Sequence, residues 1–513
     1  MPSRRRFIHA LGAGSLALLL PRPADRLQAT DSLSSIFHVS GIPDAPFGAG
    51  GNRHAGVDCL LELMAGQGLP FYRSSAGQGL AGPQGMIAAD DVVLIKINAQ
   101  WKYRGCTNSD VVRGLVQRVL EHPDGFRGEV VLVENGQGRG SLDCDNAAGY
   151  PDAEVHANAV DESHSFRFLV ERVFADARVS AYLLDPLRSV FIGAADHETD
   201  GYRRFENVSY PCFTTAGGRR VELREGVWDG RRHHQKLKLI NLPVLKHHDT
   251  GGSEITASLK HMYGLLSMND GQRTVRHYSG LGEACAKMMV SVRPPVLNVI
   301  DAIWVSHLAL SGYPERKTRK LNVLTASQDP VALDHWTARH VLFPIDGNRR
   351  HDPGHDNIPA WLEAAERLIN SRGGLAHPEW GLHAGQVTRD ESRMLVFSAL
   401  ASAPARLTLV APNGGEYWAP GTFQEIAWEH AGAAGERLEV LLLAGARIQA
   451  VVATGYDLAR GALRWRVPAD MPAGGDYRVR IRSLQRPDLH DESDLPFAVV
   501  PRPPQVDRDR RPR

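Results

Sequence analysis

Lysine and histidine side chains recur in this chain where strands should end and helices should begin. Lys96 and Asn98 close the apolar run Asp91-Val-Val-Leu-Ile-Lys-Ile-Asn98, and Asn135 closes the run Val130–Val133. Lys246-His247-His248 closes Leu237–Leu245, and Lys260 and His261 follow, with Thr256 one helical turn before Lys260. Ammonium groups gathered in one place suit an anionic ligand, either carboxylate or phosphate. Alternatively, one lysine is depressed in pKa by its neighbours and works as a base. Any one of these lysines alone reads as solvated surface; three at element ends read as a site. On that reading Lys96, Lys246 and Lys260 supply charge and His248 moves a proton. Asn98, Thr107 and Asn135 orient a ligand by hydrogen bonds, and Thr256 and His261 extend the binding set. Asp301, Asp329 and Asp334 form a second tier, in which the alternative reading of Asp329 is a helix cap alone.

A divalent metal is allowed by the ligand inventory. His233, His234, His247, His248, His261 and His277, with Asp301, Asp329 and Asp334, offer enough donors. No H-E-x-x-H spacing organises them, and Pro353-Gly354 between His351 and His355 forbids a shared helix face. The five cysteines, Cys59, Cys106, Cys144, Cys212 and Cys285, form no C-x-x-C, so an iron–sulfur cluster is not expected. Their odd number leaves at least one thiol free, and buried free thiols are expected for most. The chain has no G-x-S-x-G elbow and no phosphate-loop motif. Gly77-Gln-Gly79-Leu-Ala-Gly82 fits G-x-G-x-x-G, but no strand precedes it and Pro83 follows, so a nicotinamide site is not supported. With 59 Lys and Arg against 58 Asp and Glu, the formal net charge is +1. That balance gives no bulk attraction for nucleic acid or an anionic membrane. Any cationic site is local.

The elements that must carry these residues alternate. Asp91–Asn98 is a short apolar run, as a strand buried on both faces would be. Thr107-Asn108-Ser109-Asp110 supplies N-cap chemistry, and Val112, Leu115, Val116, Val119 and Leu120 form one helical stripe. A second strand follows at Val130–Val133, so this β-α-β order predicts a parallel pair with a right-handed crossover. Leu237–Leu245, a helix near Glu254–Leu266, strands at Val296–Ile303 and Leu321–Ala326, and a helix opened by Asp329-Pro330 continue the pattern. These elements predict an α/β domain over residues 30–397, built on a mostly parallel sheet with covering helices. Thr30 to about Ala88 reads as loops with one short helix near Val57–Met64. Gly136–Arg232 reads as inserted loops and strands.

Residues 398–406 read as a linker. Beyond them the apolar period changes to two, as in Leu463/Trp465/Val467 and Tyr477/Val479/Ile481. Residues 407–500 therefore predict an all-β immunoglobulin-like sandwich, and residues 501–513 a disordered tail. At the other end, Ser3-Arg4-Arg5-Arg6-Phe7-Ile8 resembles the twin-arginine signature. The eleven residues from Ala10 to Leu20 that follow suit a signal-peptide core but fall short of the about 20 needed to span a bilayer. Residues 1–29 are thus expected to be a leader read by the twin-arginine translocase, giving an exported, periplasmic or envelope protein.

Five motifs resemble the domain-of-unknown-function family numbered 362. They are Val93-Leu-Ile-Lys96-Ile-Asn98, Thr107–Val112, Leu242-Pro243-Val-Leu-Lys246-His-His248, Thr256-Ala-Ser-Leu-Lys260-His261-Met-Tyr-Gly264 and Asp329-Pro-Val-Ala-Leu-Asp334. Together they cover about residues 90–341. The resemblance implies an α/β fold and one shared site around these motifs, with no general reaction attached. Many relatives carry a ferredoxin-like segment whose cysteines this chain lacks, and His261 stands where relatives commonly have Asn. The C-terminal strands resemble β-sandwich modules of fungal Ser/Thr-rich cell-wall proteins, through Val410-Ala-Pro-Asn-Gly-Gly-Glu-Tyr-Trp418 and Trp465-Arg-Val-Pro468 among others. Their tryptophans are expected in the core. Two functions follow as expectations. The first is an exported enzyme or binder of an anionic small molecule. The second is a non-catalytic envelope protein whose sandwich docks on a cell-wall component.

Overall fold

Continuous apolar runs form the middle of the larger unit, because only strands covered on both faces tolerate them. The computed structural model describes residues 33–48, 51–77, 79–248, 253–271, 279–355, 357–401, 405–431, 434, 437–484 and 486–501. The leader, the tail beyond residue 501 and His277 lie outside the described residues. The chain divides into two compact units: residues up to 46 together with 52–401, and residues 402–513 together with 47–51.

The first unit is mixed α/β. Its ten-stranded sheet comprises β1 (Ser34–Ser40), β2 (Val92–Lys96), β3 (Glu129–Glu134), β4 (Val179–Leu183), β5 (Leu237–Asn241), β6 (Val244–His247), β7 (Ile255–Thr256), β8 (Leu297–Ser306), β9 (Thr318–Ser327) and β10 (Met394–Leu400). The main path runs β10-β1-β9-β8-β5-β2-β3-β4, and β6 pairs with β7 and β8. Neighbours within β8-β5-β2-β3-β4 are parallel. β9 is antiparallel to both β8 and β1. Helices that bear on the site and the core include α1 (Ala55–Gly66), α2 (Ser109–Leu120), α3 (Ser258–His261), α4 (Leu281–Lys287), α5 (Pro330–Thr337) and α6 (Ile358–Ser371). Asn108 caps α2 by accepting from the amides of Asp110 and Val111, and Val112, Leu115, Val116 and Val119 are buried beneath that helix.

Four expectations need correction. β1 lies inside the stretch read as loops, and β10 runs through the first residues of the expected linker, where it pairs with β1 in parallel. The run Leu237–Leu245 is two strands rather than one. Pro243, without an N–H to give a ladder, separates β5 from β6. The helix placed near Glu254–Leu266 begins only at Ser258. Glu254 sits at φ +59°, and Thr256 is in β7, directly opposite Lys246. The inserted stretch carries its own five-stranded antiparallel sheet between Gly201 and His234.

The second unit contains a three-stranded and a six-stranded sheet. Ile426 and Trp428 from one, and Val440, Val479, Ile481 and Phe497 from the other, are buried in one core with Trp418. Trp428 donates its Nε1–H to the Leu458 carbonyl at 2.8 Å. No helix among the described residues is long and apolar enough to cross a membrane.

Candidate functional site

The order of the five parallel strands diverges between β2 and β5. From β2 the chain proceeds to β3 and β4 on one flank; β5 leads to β8 on the other. Where neighbouring strands send their connections opposite ways, a crevice is left beyond their carboxyl ends. A cavity of about 280 Å³ occurs there. Lys96, Asn98, Asn135, Lys246, His248, Thr256, Lys260 and His261 all line it. The lysines and histidines chosen from element ends therefore do share one rim.

Four basic side chains, those of Lys96, Lys246, Lys260 and Arg139, face a single carboxylate among the lining residues, Glu134. Lys96 is ion-paired to Glu134 and also donates to the Ile97 carbonyl at 3.0 Å. Both partners are almost wholly buried. Burial pushes the Glu134 carboxyl up to about 7 against the pull of Lys96, and it pushes Lys96 down. Gly264 lies against this pair: a Cβ there would meet the Lys96 Nζ at 2.5 Å. Lys246 is 2% exposed and donates to the Gly105 carbonyl at 2.7 Å. Burial, and then the charge of Lys260, lower its ammonium to about 7.

A pair of asparagine amides orients His261. The carbonyls of Ser258 and Ser327 can only accept, so they orient the Asn241 and Asn298 amides that donate to them. Asn241 also donates to Asn298 Oδ1, which leaves Asn241 Oδ1 to accept from His261 Nδ1 at 2.7 Å. This network favours the proton on Nδ1, and the Ile97 carbonyl is a further backbone acceptor for the ring. Burial first, and the Lys96 ammonium next, hold this imidazole well below its ordinary value. It is neutral. Asn98 spends its Oδ1 on the Val244 amide, and its Nδ2 has no partner among the described residues. Asn135 donates to the Leu266 carbonyl and the Tyr202 hydroxyl.

Thr107 and the second-tier aspartates are not among the cavity-lining residues. The Thr107 hydroxyl accepts from the Asn98 amide and donates to the Leu242 carbonyl, tying β2 to the turn before β6. Asp301 accepts from the amides of Asn108 and Ile303, and burial raises it to about 7. Asp329 caps α5 through Val331 and Ala332, and burial raises it to about 6. Asp334, raised by burial to about 7, accepts from the Ser258 amide and hydroxyl and the Leu259 amide. It thus holds the first turn of α3, which carries Lys260 and His261. Asp334→Ala should cost about 3 kcal/mol in urea unfolding, because three donors lose a buried acceptor, and should weaken anion binding in the same preparation.

Among the described residues, the metal donors read from the sequence do not form a group of three with one another. His247 is hydrogen-bonded to His351 at 2.9 Å. Among the described residues, His197, Glu222 and His233 in the inserted sheet bring potential ligand atoms within 4.8 Å of one another. The Arg203 guanidinium already sits on Glu222 at 2.6 Å and would oppose a cation. All five cysteines are free, and four are buried.

Residue spacing did not single out Glu134, Arg139, Asn241 or Asp185. Asp185 accepts from the amides of Gly136, Gly138 and Gly140, fixing the loop that brings Arg139 to the cavity. Glu134 alone carried a signal, since it ends β3 as Lys96 ends β2.

One wall of the cavity lies in a segment that a family model matches. Residues 230–339 match the family called Domain of unknown function (DUF362). The DUF362 segment holds Lys246, His248, Thr256, Lys260 and His261, whereas Lys96, Asn98, Glu134 and Asn135 come from outside it. No curated protein matches the chain. Among solved structures, fibronectin(III)-like modules of Clostridium thermocellum CbhA match at 13% identity over 21% of this chain and 51% of that one, with a TM-score of 0.15. An engineered protein matches at 18% identity over 28% of each chain, again with a TM-score of 0.15. This chain therefore spans about half of the first and about a quarter of the second.

Proposed function

We propose that the first unit binds a small anion, as an enzyme or a binder, in the cavity beyond β2 and β5. One observation carries this reading: four basic groups against one carboxylate in a small cavity where three lysines are almost wholly buried. Buried ammonium groups are costly unless paired, and Glu134 pairs with Lys96, while Lys246 meets only the Gly105 carbonyl. An anionic guest would neutralise Lys246. The divergence of the parallel strands between β2 and β5 supports the same placement, since such sheets bind ligands at this edge.

Titration calorimetry with inorganic phosphate and with oxalate tests the reading. One anion should bind per chain near pH 6. Affinity should fall by up to about tenfold per pH unit above about pH 7. The sign follows from Lys246: the anion favours its charged form, so binding takes up a proton wherever the free site has lost one. A folded protein that binds neither anion near pH 6 overturns the reading.

We further read residues 1–29 as an export leader and residues 407–500 as an immunoglobulin-like sandwich. The buried Trp418 and Trp428 leave the exposed Tyr417 and Phe423 as the aromatics for any cell-wall contact. Mass spectrometry of the chain recovered from its own cells should find the leader removed.

A further inference from the structure

The three cavity lysines differ in what occupies them. Lys96 is held as an ion pair with Glu134. Lys260 lies over the Tyr263 ring, 5.8 Å from its centroid. Lys246 has only the Gly105 carbonyl as acceptor, and no carboxylate among the described residues lies within ion-pair distance of it. Its Nζ is buried in a cavity built for anions, beside a second ammonium. The Gly105 carbonyl and the more distant Glu134 favour its proton less than burial and Lys260 oppose it. Desolvation by burial, then repulsion from Lys260, bring the amine to about 7, where the neutral nucleophile is well populated at neutral pH.

We propose that Lys246 is an amine nucleophile that forms an imine with a small anion bearing a carbonyl group, such as a 2-oxo acid or an aldehyde acid. The proposal rests on the anion-site reading above, since Lys260 and Arg139 would hold the ligand's carboxylate. The Lys246 nitrogen attacks the carbonyl carbon, forming the C–N bond, and the carbonyl π pair moves to oxygen. A proton passes from nitrogen to that oxygen, giving a carbinolamine. A second proton then reaches the hydroxyl, the C–O bond breaks, water leaves, and an iminium remains. Glu134, in the same cavity and near its own midpoint, is the group suited to move these protons. Asn98 Nδ2 can donate to the oxygen while it carries charge. No oxidant or reductant is needed.

The test is reductive trapping on the full chain with glyoxylate and cyanoborohydride, followed by peptide mapping. Exposed lysines hold under about one per cent free amine at about pH 7.5. Lys246 should therefore acquire one carboxymethyl group at least about tenfold faster than they do, and excess oxalate should protect it. Lys246→Arg, checked for folding by circular dichroism, should show only the slow background. If oxalate binds but Lys246 is modified no faster than surface lysines, the imine is overturned and the anion site stands. If oxalate does not bind and Lys246 is not modified, both readings fall.

Discussion

Lys246→Met should weaken phosphate and oxalate binding by about 30- to 900-fold, while leaving the protein as stable as before or more so. The affinity loss is that of removing one buried partner of a charge-assisted contact, about 2–4 kcal/mol. The stability change has the opposite sign for a physical reason. The Lys246 ammonium is buried with no carboxylate partner among the described residues, and methionine fills similar space without the charge. The folded state holds this amine at about 7, below the unfolded value of about 10.4, so folding is penalised wherever the amine must be charged. That penalty is complete below about pH 7 and fades as pH rises towards about 10. The variant's advantage in urea unfolding should therefore be largest near pH 6 and vanish at high pH. A substitution that lowers both affinity and stability at pH 6 would show instead that Lys246 acts as a structural prop.

Much of this arrangement was legible because strands and charges are local signals. The runs at Val92–Lys96 and Glu129–Glu134 could be read from apolar continuity, and the lysines at their ends from position alone. The β1 strand was not legible: Ser34–Ser40 is too mixed for an apolar run, and its place is set by pairing with β9 and β10, far away in sequence. The break at Pro243 was visible in the sequence, yet Leu242 and Val244 on either side disguised it as one strand. Asn241 and Asp185 act through contacts with residues 17 to 57 and 45 to 49 positions distant, which no spacing motif encodes. Thr107 and Asp301 went the other way. Their types suited a site, but the backbone donors around them had the prior claim.

The Lys96–Glu134 pair gives a prediction with its own internal control. Both side chains are buried at the ends of adjacent strands, and Lys96 lies opposite Val133 in the ladder, one residue from Glu134. Removing either partner leaves the other's charge without compensation, which costs about 3–5 kcal/mol. The two single variants should differ in pH dependence. In Lys96→Met, Glu134 loses the attraction that restrains its rise, so its folded pKa lies further above its unfolded value than in the parent. The folded state then binds the proton more tightly than the unfolded state, and stability falls as pH rises through neutrality. In Glu134→Leu, Lys96 is the depressed group, so stability is lost as pH falls instead. The double replacement Lys96→Met/Glu134→Leu has no buried charge at either position and should recover most of the stability, with neither slope. Urea unfolding at about pH 5.5, 7 and 8.5 separates the cases. Parallel slopes in the two single variants would mean that the two groups do not titrate against each other, and the proton-transfer role given to Glu134 would go with them.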